Sequence, residues 1–223
     1  MSEVIEMRPI GRVESCFQEK FGTPRQSRLV PEARGRVVFS KEIPSDACRG
    51  LEDFSHLWLV FLFDQIAEDD TRWLVRPPRL GGNEKMGVFA TRSPFRPNRL
   101  GLSLVSLEGI GDGYLEVGGL DLVDGTVVLD VKPYLPYVEA VPEASGGFAE
   151  GAPERKPVDF SKEVRNLLDD DQMDLISGIL GVDPRPAYHQ DERVYGCRID
   201  GLDVGWQVVG ERVLVLSVRS SMK

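Results

Sequence analysis

The sequence predicts a mainly β protein, with strands over its first two thirds and a small α+β unit at its C-terminal end. Three observations predict it. Short runs rich in Val, Leu, Ile or Phe recur between Gly, Pro, Asp and Asn residues, with few helical periods among them. Leu57-Trp-Leu-Val-Phe-Leu-Phe63 is apolar at both strand faces, as in a strand covered on both sides. Around Val138 to Pro157 the composition turns to Glu, Ala, Gly, Ser and Pro without periodicity, and helical spacing begins only after it. Many short strands of this kind close into a barrel or stack as a sandwich.

The first part should hold strands at Ile10 to Ser15, Arg34 to Phe39, His56 to Phe63, Gly87 to Arg92, Gly101 to Ile110, Gly113 to Leu120 and Thr126 to Tyr134. The doubly apolar strand at 57–63 belongs at the centre. The composition shift divides the chain into residues 1–145, a linker at 146–157 and a C-terminal unit at 158–223. In that unit Ser161 is a plausible cap for a helix over Asp159 to Leu168, where Val164, Leu167 and Leu168 fall at helical spacing. A second helix fits Gln172 to Leu180, with Gly181 as its stop. Val194 to Asp200, Val204 to Val209 and Val213 to Val218 then read as a small antiparallel sheet, the last two joined at Gly210-Glu211.

The longest apolar run, Leu57 to Phe63, is far short of the ~20 residues of a spanning helix. Met1-Ser-Glu-Val-Ile-Glu lacks the regions of a signal peptide, so the chain reads as cytoplasmic with no membrane partner. Cys16, Cys48 and Cys197 are odd in number and widely spaced, which indicates free thiols and no metal site. No Gly-x-Gly-x-x-Gly opens a helix after a strand, so a Rossmann reading has no support.

Charge is unevenly placed. Thr71 to Arg99 carries seven Lys or Arg (Arg72, Arg76, Arg79, Lys85, Arg92, Arg96 and Arg99) against Glu84 alone, a local net of +6 in a chain of −9. Gly and Pro at short spacings hold these cations on turns, a shaped site for an anionic partner. Trp73, Phe89, Phe95, Tyr134 and Tyr137 lie within or near this stretch. Such a mixture suits base stacking beside phosphates, although core packing explains most of these rings equally well, Phe89 above all.

His56 and His189 stand 133 positions apart, which leaves serine triads and Cys-His pairs hard to build. His56, at the head of the most apolar strand, reads as structural. Pro24-Arg25-Gln26 offers a guanidinium and an amide to a ligand, with a solvated turn as the plain alternative. Asp64-Gln65 emerges where the central strand ends, a position that sites often use. The acids of Asp121-Leu-Val-Asp124-Gly125-Thr126 shape a turn or serve a site. Asp130 and Lys132, on one face of a strand that ends at Pro133, form an ion pair or a binding surface.

Taken together, Glu19-Lys-Phe-Gly-Thr-Pro24-Arg25-Gln26, Gly50-Leu-Glu-Asp-Phe-Ser-His-Leu-Trp58, Arg76-Pro-Pro-Arg-Leu-Gly-Gly-Asn83, Gly87-Val-Phe-Ala-Thr-Arg92-Ser, Phe95-Arg-Pro-Asn98, Leu120-Asp-Leu-Val-Asp-Gly125, Asp130-Val-Lys-Pro-Tyr134 and Asp183-Pro-Arg-Pro-Ala-Tyr188 resemble the TsaA-like, or TrmO, family over nearly the whole chain. The resemblance implies an N-terminal β-barrel that binds S-adenosylmethionine, a small C-terminal domain, a homodimer, and N6-methylation of threonylcarbamoyladenosine next to the tRNA anticodon. It implies donor contacts from Pro24, Arg25, Gln26, Asp64, Gln65, Arg92, Leu102, Asp130, Val131, Lys132 and Pro133. Relatives carry His-Gln where this chain has Asp64-Gln65. Arg76, Arg79, Lys85, Arg96 and Arg99 then become the residues expected to meet tRNA phosphates. The competing readings are a barrel that binds tRNA or a nucleotide without catalysis, and a protein-interaction adaptor, which leaves the Arg cluster unexplained.

Overall fold

The computed structural model describes residues 4–80, 82–149, 151–185 and 193–221. Six antiparallel strands close into a barrel: β1 (Gly11–Ser15), β2 (Gly35–Phe39), β3 (His56–Leu62), β6 (Leu100–Gly111), β7 (Tyr114–Gly118) and β8 (Val127–Pro133), in the order β1-β2-β7-β6-β3-β8. Between β3 and β6 a two-stranded ribbon projects, formed by β4 (Leu74–Val75) and β5 (Met86–Gly87). The barrel core comes from alternate residues of its strands, among them Val13, Val37, Leu57, Leu59, Val105 and Val128.

β3 lies between β6 and β8, with the alternating burial of a barrel wall. Leu57, Leu59 and Phe61 face inward, while Trp58, Val60 and Leu62 lie half-covered outside, so its outer face is more open than an all-apolar run suggests. The ring of Phe61 lies across its partner Gly101. A Cβ there would stand 2.1 Å from the ring, so only glycine leaves room for the ring to turn inward.

The strand expected at Gly87 to Arg92 is not formed. β5 ends at Gly87, and Val88–Ala90 makes a 3-10 turn whose Val88 carbonyl accepts from both the N–H and the hydroxyl of Thr91. Val88 is buried whereas Phe89 and Ala90 face solvent, so the side chains do not alternate as a strand requires.

A short helix α1 (Pro136–Glu139) follows the barrel. The C-terminal elements are β9 (Val158–Phe160), α2 (Lys162–Arg165), α3 (Asp170–Gly181), β10 (Tyr195–Ile199), β11 (Leu202–Val209) and β12 (Arg212–Ser220). Asp159 and Phe160, expected to begin a helix, instead belong to β9, which pairs in parallel with Val213–Val215 and makes a four-stranded sheet in the order β10-β11-β12-β9. Ser161 does cap, accepting from the Val164 N–H, but its helix is a single turn. α3 begins with a full capping box between Asp169 and Gln172. It runs through Gly181, and the left-handed residue after it is Asp183 (φ 49°).

The core beneath this sheet is not made by the C-terminal segment alone. Phe17, Val30 and Ala33, from the excursion between β1 and β2, pack with Ile176, Ile179, Ile199 and Trp206. A bridge between Phe17 and Ile199, and Asp200 N–H donating to the Cys16 carbonyl at 2.9 Å, stitch the excursion to β10. Burial pushes the Cys16 thiol up to about 12 and the Cys197 thiol up to about 11, which keeps both protonated and unreactive.

Candidate active site

The excursion that fills the second core also delivers polar groups to the barrel. Pro24 is buried, and the Arg25 guanidinium reaches over to the C-terminal segment, donating to the Arg185 carbonyl at 2.7 Å. Next along, the Gln26 carbonyl oxygen accepts from Arg92 at 2.6 Å, and Ser27 accepts from the Leu104 N–H at 3.2 Å. β7 pairs with β6 only from Ser106 onward, so this loop serves the stretch of β6 that β7 leaves open.

Beneath the loop lies Asp121, which accepts from the Ser103 hydroxyl at 2.6 Å. Burial pushes its carboxyl up to about 6. The Ser103 hydroxyl, the backbone N–H groups of Asp121 and Ser27 and the charge of Arg92 pull the other way without restoring the ordinary value. The two acids of the turn thus part company. Asp121 faces Ser103 and Arg92, whereas Asp124 accepts from the Ser15 N–H at 3.0 Å and shapes the turn. Ser103, a hydroxyl buried on β6, is the partner that sets Asp121 apart from Asp124.

The other residues singled out from sequence divide between the rim after β3 and the wall made by β6, β3 and β8. Asp64 faces Arg12 at 3.8 Å, and Arg12 donates to the Gly125 carbonyl at 2.7 Å, joining the ends of β3 and β1 to the turn before β8. Gln65 beside it is exposed. Leu102, 52% exposed, pairs with Val60, and Val60 pairs with Asp130, so these three lie in a row across β6, β3 and β8 on the outer wall. Two strand spacings put Leu102 and Asp130 roughly 10 Å apart. Asp130 is ion-paired to Lys132 at 2.8 Å and accepts from the Val131 N–H at 2.9 Å, with Pro133 ending the strand. The structure therefore brings Gln26, Arg92 and Asp121 into direct contact or electrostatic reach, with Leu102 on the adjoining strand. It leaves Asp130 to Pro133 two strands away.

The cationic segment divides as well. Arg72 makes a bidentate pair with Asp70 and lies 3.8 Å above the Phe95 ring. Arg99 is largely covered, donating to the Ile66 carbonyl at 2.7 Å and pairing with Glu68 at 3.0 Å. Arg96 donates to the carbonyls of Val88 and Thr91. Arg76 and Lys85, flanking the last ribbon pair Val75–Met86, are exposed. Arg79 lies in the turn Pro78–Leu80, and its side chain is outside the described residues. His189 and the end of the Asp183-to-Tyr188 motif are outside them too, while Arg185 of that motif is clasped by Asp183 at 2.9 and 2.8 Å. His56 bonds Ser55 at 2.9 Å and meets Tyr134 edge-on, with burial and the charge of Arg28 holding its pKa down.

Residues 12–140 match the family model of the tRNA-methyltransferase O N-terminal domain, and residues 153–221 match that of the TrmO C-terminal domain. The chain belongs to the TrmO family. It is 45% identical over 231 residues to the tRNA (adenine(37)-N6)-methyltransferase of Escherichia coli, covering 96% of this chain and 98% of that one. A protein of the same name from Eikenella corrodens is 49% identical over 170 residues, 74% of this chain and 97% of its own. A shorter relative in Methanothermobacter thermautotrophicus, named "Probable S-adenosyl-L-methionine-binding protein", is 39% identical over 137 residues, 61% of this chain and 95% of that one. Crystal structures of TrmO superpose with TM-scores of 0.81 at 40% identity (98% of this chain, 99% of the other) and, for the Pseudomonas aeruginosa protein, 0.79 at 38% identity (97% and 100%).

Proposed function

We propose that this chain is an S-adenosylmethionine-dependent tRNA methyltransferase that methylates N6 of adenosine 37, and that the adenosine it accepts already carries the threonylcarbamoyl group. The first part is supported by family membership and by the names of relatives aligned over nearly the full chain. The finer part follows from the resemblance noted above. The cationic segment 71–99 suits it, because a threonylcarbamoyl substituent adds a carboxylate to the base.

The observation that carries the assignment of the site is the cluster Gln26–Arg92–Asp121. A donor with a positive sulfonium, an amino group and a carboxylate calls for an acid, a guanidinium and an amide in one place, and this end of the barrel supplies them. Asp121 in particular is a carboxylate whose ionised form the fold disfavours, and a neighbouring cation would relieve it. When bound, the donor supplies an electrophilic methyl group. The protein's part is alignment, for which fixed loops matter more than a strong nucleophile. Arg92, Gln26 and Arg25 orient, with Pro24, Leu102 and the outer wall at Asp130 to Pro133 as further walls, and Asp64-Gln65 closing the rim. We assign residues 1–145 to donor binding, 146–157 to a connection and 158–223 to a domain that supports the Pro24-to-Ser27 loop. A homodimer follows from the resemblance. Its support in the fold is the exposed apolar side chains of Tyr137 and Val138.

The test is to incubate the protein with S-adenosylmethionine and tRNA with or without the threonylcarbamoyl group, then weigh the nucleosides. Methylation confined to the substituted adenosine is expected. Equal methylation of the bare adenosine would refute the finer reading, and tRNA binding with no methyl transfer would leave a non-catalytic barrel. Light scattering distinguishes a dimer from a 24.8 kDa monomer.

A further inference from the structure

The ribbon between β3 and β6 carries an aromatic surface that the fold does not use. Trp73 and Phe89 meet edge to face, with centroids 6.4 Å apart and planes at 76°, yet they are 65% and 72% exposed. The expectation that Phe89 fills a core is thereby corrected: its neighbour Val88 does so instead, at 1% exposure. The rings stand on a fixed base. Val88 N–H donates to the Trp73 carbonyl at 3.0 Å, Leu74 pairs with Gly87, and the Arg96 guanidinium is pinned by the Val88 and Thr91 carbonyls 5.7 Å from the Phe89 ring. Large apolar rings held in solvent by backbone bonds bind a planar partner with little ordering cost.

Charge selects the partner. Arg76 and Lys85 flank the ribbon, exposed and without an ion pair among the described residues, in a segment of net +6. A second copy docked here about a two-fold axis would set this cationic patch against itself, whereas single-stranded RNA offers π-faces and phosphates together. Three residues beyond Phe89 is Arg92, bonded to Gln26, so the rings adjoin the candidate donor site.

We propose that Trp73 and Phe89 form a stacking platform for an unpaired base of the RNA, beside the adenosine to be methylated, while Arg76 and Lys85 meet its phosphates. This rests on the reading of the chain as a tRNA enzyme. An unpaired base in a single-stranded loop offers the free face that such a platform needs, whereas bases inside a duplex present none.

The test uses an unmodified single-stranded RNA heptamer as probe, so that stacking is read apart from methyl transfer. Trp73→Ala with Phe89→Ala should weaken heptamer binding roughly tenfold to a hundredfold, with the salt dependence unchanged. Trp73→Phe should keep most of the affinity. Arg76→Gln and Lys85→Gln should instead flatten the salt dependence by about one slope unit per lost phosphate. Donor affinity by calorimetry should hold in all of them. Unchanged heptamer affinity in the double alanine variant overturns the proposal. So does conversion of a dimer to a monomer by that variant, which would make the patch a self-association surface. Loss of heptamer binding as expected, in a protein that fails to methylate tRNA, sustains the platform and sinks the assigned reaction instead.

Discussion

The barrel fills its core from its own strands and from Leu120 and Leu122 in the turn between β7 and β8, whereas the second core is completed by Phe17, Val30 and Ala33 lent from the excursion between β1 and β2. That excursion has two jobs at once. Its apolar residues are buried against α3 and β10, and its residues Arg25, Gln26 and Ser27 are presented to Arg185, Arg92 and Leu104. The difference teaches that the C-terminal domain is joined to the candidate site mechanically, through a shared piece of chain, although most of its residues lie elsewhere.

The largest effect should come from breaking the lent core. Trp206 is fully buried and stacked on Tyr195 at 5.1 Å, so Trp206→Ala should cost about 3–5 kcal/mol in denaturant unfolding. Leu59→Ala, in the barrel core, should cost about 2–5 kcal/mol. The two should part in S-adenosylmethionine calorimetry on folded protein at low temperature. Trp206→Ala, or the milder Trp206→Phe, should also weaken the donor by loosening the excursion. Unaltered donor affinity in both Trp206 variants would reduce the C-terminal domain to an appendage.

Next in size is the strain held where the two regions meet. The Asp121 carboxyl titrates at about 6 in the fold against an ordinary 3.8, so its ionised form is disfavoured. The penalty is absent below about pH 4, grows as pH rises through the window and is complete above about pH 6, where it reaches up to about 3 kcal/mol. Asp121→Asn, which can still accept from Ser103, should flatten the denaturation midpoint between pH 4 and 7. It should also abolish any rise in donor affinity over that window. A wild-type midpoint that follows the variant's throughout that window would remove this carboxylate from the account.

The barrel was legible because each strand announces itself locally: Arg34 to Phe39 and Thr126 to Tyr134 became β2 and β8 almost residue for residue. Segments whose structure depends on distant partners were not. Asp159 and Phe160 read as the start of a helix until Val213–Val215 is there to pair with β9, and Phe17 and Val30 are isolated apolar residues in a loop until the C-terminal sheet covers them. At the site, the resemblance singled out Gln26 and Arg92, which the fold joins by a hydrogen bond. Asp121 read only as an even choice between turn and site, because its partners Ser103 and Ser27 lie far off in sequence and no period connects them.

Smaller, and specific to the barrel side, is the loss expected for Arg92→Ala. It leaves Gln26 without its 2.6 Å partner and removes a cation within electrostatic reach of Asp121, so donor binding should fall by about 1–3 kcal/mol, the value of a charge-assisted hydrogen bond. Because Arg92 is exposed, unfolding should change far less. Equal losses in binding and stability would mean that the residue braces the loop and does not meet the donor.

The finest probe of the shared excursion is Gly178→Ala, on the face of α3 that covers it. Alanine in a helix interior gains about 1 kcal/mol over glycine. Here the added Cβ would stand 2.8 Å from Cγ1 of Val30 and 2.7 Å from a carboxylate oxygen of Glu32. Glu32 can swing aside, but Val30 is 1% exposed and has nowhere to go, so overpacking should return about 1–3 kcal/mol of cost. The net effect on stability is a loss of about 0–2 kcal/mol, accompanied by displacement of the chain at residues 30–32. Val30 follows Gln26 by four residues. Donor affinity should therefore drop severalfold in a protein that loses no more than about 2 kcal/mol of stability. A variant that gains the full helix propensity and binds donor as before would show that α3 and the Pro24-to-Ser27 loop are packed together without being coupled.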